Sequence, residues 1–353
     1  MANTSDADPW KKLLEVSTSI TTNVEDLEAV GAGPSDAKPE KDDMEFLKKA
    51  MSTLASSSQP AVFTLCRDLE LFQKAIVSDR MPLGSLVAAT DLAEQIDEYL
   101  IAGNFCDEFM TDAVFEAMEN LSLNATDNEL RLAYLQLLPE FAGNRPAFQE
   151  RFSKSPFFSH LIDKLDDFES TPSFITAAIL SALAATVNSC LSAWNVFSEK
   201  NGVEKFVKLV EKHLDDAVAA KAARHLDTFY FNNYSVEAVA VPSNKAGFEK
   251  LLDGICESLA HIRRRKAALD NEMIRGLSDK RTIDLVEEAY QLIVGRICTL
   301  EANQLSDKAK KHITNLFDSL KNTDEPEKVW RSKQQPDLLQ VFFRFGQLNK
   351  KSA

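Results

Sequence analysis

"NGVEKFVKLVEKHLDD" occupies residues 201–216 and sets the reading of the whole chain. Val203, Phe206, Val207 and Val210 share one side of a helix of 3.6 residues per turn, with most of the charged residues opposite. Forty-five residues upstream lies "PFFSHLIDKLDD" (156–167), where Phe158, Leu161, Ile162 and Leu165 hold the same places. The same step downstream reaches "KAGFEKLLDGICESL" (245–259), with Phe248, Leu251, Leu252 and Ile255. One rung earlier, Val114, Ala117, Met118 and Leu121 fit at an offset of 44. A unit of this size cannot bury its apolar stripe alone and has to stack on its neighbours.

Longer helices are expected between these rungs. Ala133, Ala178 and Ala223 recur at the 45-residue offset, as do Leu138 with Leu183, and Phe141 with Thr186 and Phe231. Small residues at one rung let neighbouring helices approach closely. A period near 45 with two to three helices per unit is that of armadillo and HEAT arrays. The expected fold is all-α: an armadillo/HEAT-like helical solenoid of about four repeats, plus flanking helices.

That reading explains "NELRLAYLQLLPEFAGNRPAFQERF" (128–152), whose breaks at Pro139, Gly143 and Pro146 first suggest an active-site turn. Glu129 to Ala142 becomes the long helix of one repeat, and Gly143-Asn144-Arg145 its exit. Pro146 suits the first turn of the next helix, where its missing N–H is not needed. Phe148 and Phe152, four residues apart, share a face and should pack beneath the rung starting near Phe157. Pro139 inside the helix removes a hydrogen bond and predicts a kink.

Four segments follow in chain order. Residues 1–43 read as a short amphipathic helix (10–30) and a flexible linker, "GAGPSDAKPEKDD" at 31–43. Residues 44–260 carry the repeats, 261–320 are helices packing on the solenoid, and 321–353 form a polar tail ending in a docking element, "LLQVFFRFGQL".

Composition narrows the function. With 40 basic and 54 acidic residues, the formal charge of −14 repels phosphate backbones, so nucleic acid is not an expected partner. No run is long and apolar enough for a membrane span, and the opening residues lack the apolar core of a secretory signal. Cys66, Cys106, Cys190, Cys256 and Cys298 form no CxxC pair, in keeping with reduced thiols in a cytoplasmic protein. His160, His213, His225, His261 and His312 make no HxxxH pattern, and neither a phosphate loop nor GxSxG occurs. No enzyme, cofactor or metal is therefore expected. Asp166-Asp167 and Asp215-Asp216 sit just past equivalent helices, where N-capping of the next helix is the expected role. The basic run Arg263–Lys266 in "HIRRRKAAL" reads as a solvated helix face balancing acidic neighbours, with a docking patch for an acidic partner or nucleic acid as the alternative.

In a stack of this kind the long helices line a groove that takes extended partners. Gln136 and Glu140 are the expected inward positions of the first long helix. The repeat offset carries them forward to Ser181 and Ala185, then Leu226 and Tyr230, and back to Asp91 and Gln95.

Several segments resemble one family, the armadillo-type nucleotide exchange factors of seventy-kilodalton heat-shock chaperones, in the cytosolic heat-shock-protein-binding-protein branch. "PWKKLLEVSTSIT" is similar to that family's opening helix, "DDMEFLKKAMSTL" (42–54) to the segment before its first repeat, and "AEQIDEY" (93–99) to its acidic helix end. Leu130, Arg131, Asn144, Pro146, Gln149 and Phe152 match its Leu-Arg helix, Asn-Asn-Pro joint and Gln-x-x-Phe. "AAILSALAATVN" keeps Leu180, Ala182, Leu183 and Val187 of the next repeat, and "KAARHL" (221–226) resembles the third. Ala178 and Asn188 depart from it, standing where the family has Lys and Arg. The resemblance implies a divergent co-chaperone whose groove grips the chaperone's nucleotide-binding domain and loosens ADP. Asp91, Gln95, Gln136, Glu140, Asn144, Ser181, Asn188 and Tyr230 are the expected partner-binding residues. An adaptor holding another protein in the same groove, without exchange activity, is the alternative.

Overall fold

The computed structural model describes residues 64–72, 83–102, 111–234, 245–300 and 304–321. The expected helix at 10–30, the linker at 31–43 and the tail with its docking element lie outside these. The chain divides into two compact units at Thr64/Leu65, and α1 to α12 below all belong to the second. Among the described residues there is no strand, so the all-α expectation holds.

After a helical segment at 64–72 come α1 (Leu83–Ala102), α2 (Asp112–Glu119), α3 (Asn128–Ala142), α4 (Pro146–Ser153), α5 (Pro156–Lys164) and α6 (Ser173–Val187). Then follow α7 (Leu191–Glu199), α8 (Gly202–Lys212), α9 (Asp216–Tyr234), α10 (Lys245–Ile274), α11 (Lys280–Thr299) and α12 (Asp307–Lys321). The boundary expected at 260/261 falls inside α10, which runs unbroken for 30 residues.

Local chemistry starts and stops these helices. The side chains of Thr111, Asp127, Ser155 and Asp279 each accept from the backbone N–H three residues on, at the starts of α2, α3, α5 and α11. Asp215 does the same for α9, accepting from Ala217 and Val218. Asp167 does not cap α6, because a turn at 168–172 intervenes and α6 begins behind Pro172. Pro146 opens α4 as its fixed φ suits. Pro139 lies inside α3, yet the helix continues to Ala142 and closes with the Gly143 N–H donating to the Pro139 carbonyl at 2.8 Å. Only the last turn follows Pro139, which limits the hydrogen bonding it can disrupt. Asn144 and Ser189, one 45-residue step apart, both adopt left-handed φ, 55° and 60°, at the exits of α3 and α6.

The long helices pack in sequence, α1 on α3, α3 on α6, α6 on α9 and α9 on α11, with shorter helices behind them. The order short, short, long recurs as α4–α5–α6 and α7–α8–α9. Of the residues aligned by the 45-residue offset in α5, α8 and α10, all are buried except Phe248, which is half-buried. Tyr134 on α3 donates its hydroxyl to the Ala89 carbonyl on α1 at 2.9 Å, one full step away.

Two aromatic clusters sit at the joints. Phe148 and Phe152 of the opening motif pack against Phe115, Phe141, Phe157 and Phe158, with ring centroids 5.2–5.8 Å apart. One unit on, Phe197 and Phe229 meet Trp194 and Phe206. Gly202 has to lack a side chain, since a Cβ there would stand 2.3 Å from the fully buried Phe197 ring.

The offset shortens at α9. Ile175, Ile179, Leu180 and Leu183 of α6 are followed by buried Val218, Ala222, Ala223 and Leu226, a step of 43. The stretch from the last aligned residue of the short helices to the first buried one of the long helix is two residues shorter from Val210 to Val218 than from Leu165 to Ile175. As a result Phe229, rather than Phe231, takes the place of Thr186 in the core, and Phe231 is left exposed.

Candidate functional site

The successive long helices enclose a groove of about 680 Å³. Its lining comes from α1 (Thr90, Ala93, Glu94, Asp97), α3 (Leu132, Ala133, Gln136, Pro139, Glu140), α6 (Phe174, Ala177, Ala178, Ser181) and Lys221 of α9. The floor is apolar and small because α6, "SFITAAILSALAATV", carries no charge. Phe174 stays 49% exposed there. Glu94 and Glu140 are exposed and Asp97 half-exposed, so carboxylates stand at the rim. Among the described residues none of the three is in an ion pair. Lys221 also lines it, its pKa lowered by burial and by the neighbouring Arg224.

Three of the expected partner residues, Gln136, Glu140 and Ser181, meet in this groove. Asp91 and Gln95 are exposed on α1 but outside the lining, where Glu94 and Asp97 stand instead. Asn144 occupies the left-handed turn after α3. Asn188 ends α6, with its backbone carbonyl bonded and its side-chain oxygen buried without a partner. Ala185 lies outside the groove lining, and Leu226 is in the core. Tyr230 is covered by the Arg296 guanidinium, 4.6 Å above its ring, and stacks on Phe248. Lys221 was missed because the 45-residue offset points two positions too far on α9. The 43-residue step carries Ala178 to Lys221 and Ser181 to Arg224.

The joint residues hold the helices that frame the groove. Gln149, buried on α4, donates to the carbonyls of Ala185 at 2.7 Å and Asn188 at 3.1 Å, satisfying the end of α6. Arg145 donates to the Leu100 carbonyl of α1 at 3.3 Å.

The basic run on α10 is largely consumed internally. Arg265 donates to the carbonyls of Val210 at 2.9 Å and His213 at 2.5 Å, capping α8, and pairs with Asp216. Lys266 bridges Asp270 and Glu287 at 2.9 and 2.8 Å. Arg264 donates to His261, and Arg263 is half-buried beside Tyr290. His225 is packed against Phe206 and Phe229, with Nε2 buried and unpartnered. Cys256 is buried, and desolvation with Asp253 nearby pushes its thiol up to about 12. Among the described residues no His, Cys, Asp and Glu side chains group as a metal site would need, and no helix is long and apolar enough to cross a membrane.

No family model matches the chain, and no curated protein matches it. Among solved structures, an engineered protein is similar over 79% of this chain and 97% of its own, at 19% identity and a TM-score of 0.46.

Proposed function

We propose that the helices form an armadillo-type solenoid and that the chain is a co-chaperone of a seventy-kilodalton heat-shock chaperone. In this reading the groove binds the chaperone's nucleotide-binding domain and promotes ADP release. The observation that carries it is the groove itself, framed by successive long helices and open to a polypeptide surface. The joint that frames it carries Asn144, Pro146, Gln149 and Phe152, the residues on which the family resemblance rests. Exchange of this kind needs no covalent chemistry. The groove prefers a conformation that holds ADP loosely, and by linkage ADP weakens the groove's grip by the same factor.

The experiment is stopped-flow release of a fluorescent ADP analogue from a cytosolic chaperone of this class. Acceleration that saturates with added protein supports the reading; unchanged release at saturation rejects it. A second reading, an adaptor without exchange activity, is favoured by Ala178, which leaves the mid-groove floor without a cation. Binding to the chaperone domain without faster release, or capture of a different protein through the groove, selects that reading.

A further inference from the structure

We propose that the chain's own segment 338–351, "LLQVFFRFGQLNKK", docks in the groove and competes with its partner. The groove offers an apolar floor (Leu132, Ala133, Phe174, Ala177, Ala178) and a net acidic rim, where the carboxylates of Glu94, Asp97 and Glu140, in no ion pair among the described residues, outnumber the one cation, Lys221. The segment is complementary in both respects. Leu338, Leu339, Val341, Phe342, Phe343, Phe345 and Leu348 supply apolar surface, and Arg344, Lys350 and Lys351 supply charge. From 328 to 353 the chain carries six Lys and Arg against one acid, Asp337, in a protein of net charge −14. Such a segment is attracted to the acidic rim over about a Debye length, 8–10 Å at ordinary ionic strength.

The chain is long enough to reach. α12 packs on α10, α10 on α9 and α9 on α6. Three helix-to-helix steps of about 10 Å make a gap on the order of 30 Å. The seventeen residue-to-residue steps from Lys321 to Leu338 span up to about 55 Å when extended. Bound there, the segment occludes Gln136, Glu140 and Ser181 and acts as a built-in competitor. That regulatory role rests on the groove being the partner site; the docking itself does not.

The test uses the full chain without any chaperone. Phe342 is replaced by the photo-cross-linker p-benzoylphenylalanine, and the irradiated, digested product is mapped by mass spectrometry. The expected result is an intramolecular cross-link at monomer mass to peptides of α1, α3 or α6 that line the groove. It should fall about fivefold or more in 0.5 M salt, since that screens the rim. The exposed pair Glu94→Lys and Glu140→Lys should reduce it equally, and adding Arg344→Glu, Lys350→Glu and Lys351→Glu should restore it. Cross-links only to other surfaces, dimer-mass products alone, or a yield indifferent to both charge changes would overturn the proposal. A surviving cross-link alongside failed ADP release would remove the chaperone reading and leave the docking intact.

Discussion

His225, half-buried with its Nε2 atom shielded from solvent, is expected to contribute to the acid response of this protein. In an unfolded chain its imidazole titrates near 6.5. In the fold, burial foremost, then Lys221 and Arg224, hold it down to about 3. Between those values the unfolded chain binds the extra proton, so stability declines as pH drops. The loss approaches about 1.4 kcal/mol per pH unit and reaches about 2 kcal/mol by pH 5. His213, lowered mainly by burial, acts in the same direction. Urea midpoints at pH 7 and pH 5 should therefore move less in His225→Leu than in the unaltered chain. Equal movement would assign the acid sensitivity elsewhere. Tyr134 offers a second residue-level test: Tyr134→Phe removes the bond to the Ala89 carbonyl and should cost about 1 kcal/mol in denaturant unfolding.

At the level of elements, termini matter as much as faces. Gln149 and Arg265 each reach from one helix to satisfy carbonyls at the end of another, α6 and α8 respectively. Gln149→Ala should lower stability by about 1–3 kcal/mol, since it strips the caps from a buried helix end. An unchanged melting temperature would mean that water replaces the amide. The sequence displayed most of this architecture. Apolar spacing in α5, α8 and α10 repeats without a gap, and Pro146 marks the start of α4. What it hid is specific. Asp167 and Asp215 look equivalent, but the turn at 168–172 separates Asp167 from α6 and leaves only Asp215 as a cap. Arg265 reads as a surface cation because its acceptors lie more than fifty residues away in the chain. Local pattern reports which face is buried; it does not report which distant carbonyls need a donor.

For the molecule as a whole, charge is partitioned between the core and the groove. Asp227 and Arg296 form a buried ion pair at 2.7 Å between α9 and α11, with Tyr230 beneath the guanidinium. Asp227→Asn leaves that cation without its counter-charge and should cost about 3–5 kcal/mol, read as a lower urea midpoint. The groove behaves oppositely. Glu140→Lys, at an exposed position, should leave the melting temperature nearly unchanged while altering the affinity of the partner proposed for the groove and its salt dependence. A large stability loss there would show that Glu140 belongs to the packing. Gln136, Glu140 and Ser181 were legible from a single repeat offset, whereas Lys221 was not, because the joint before α9 is two residues short. That small deletion has a consequence for how such a protein diversifies. A two-residue change in a turn, with no substitution in any helix, exchanges which row of α9 faces the groove. Insertions and deletions at the joints are thus a route to new binding preferences that leaves the long helices' own sequences untouched.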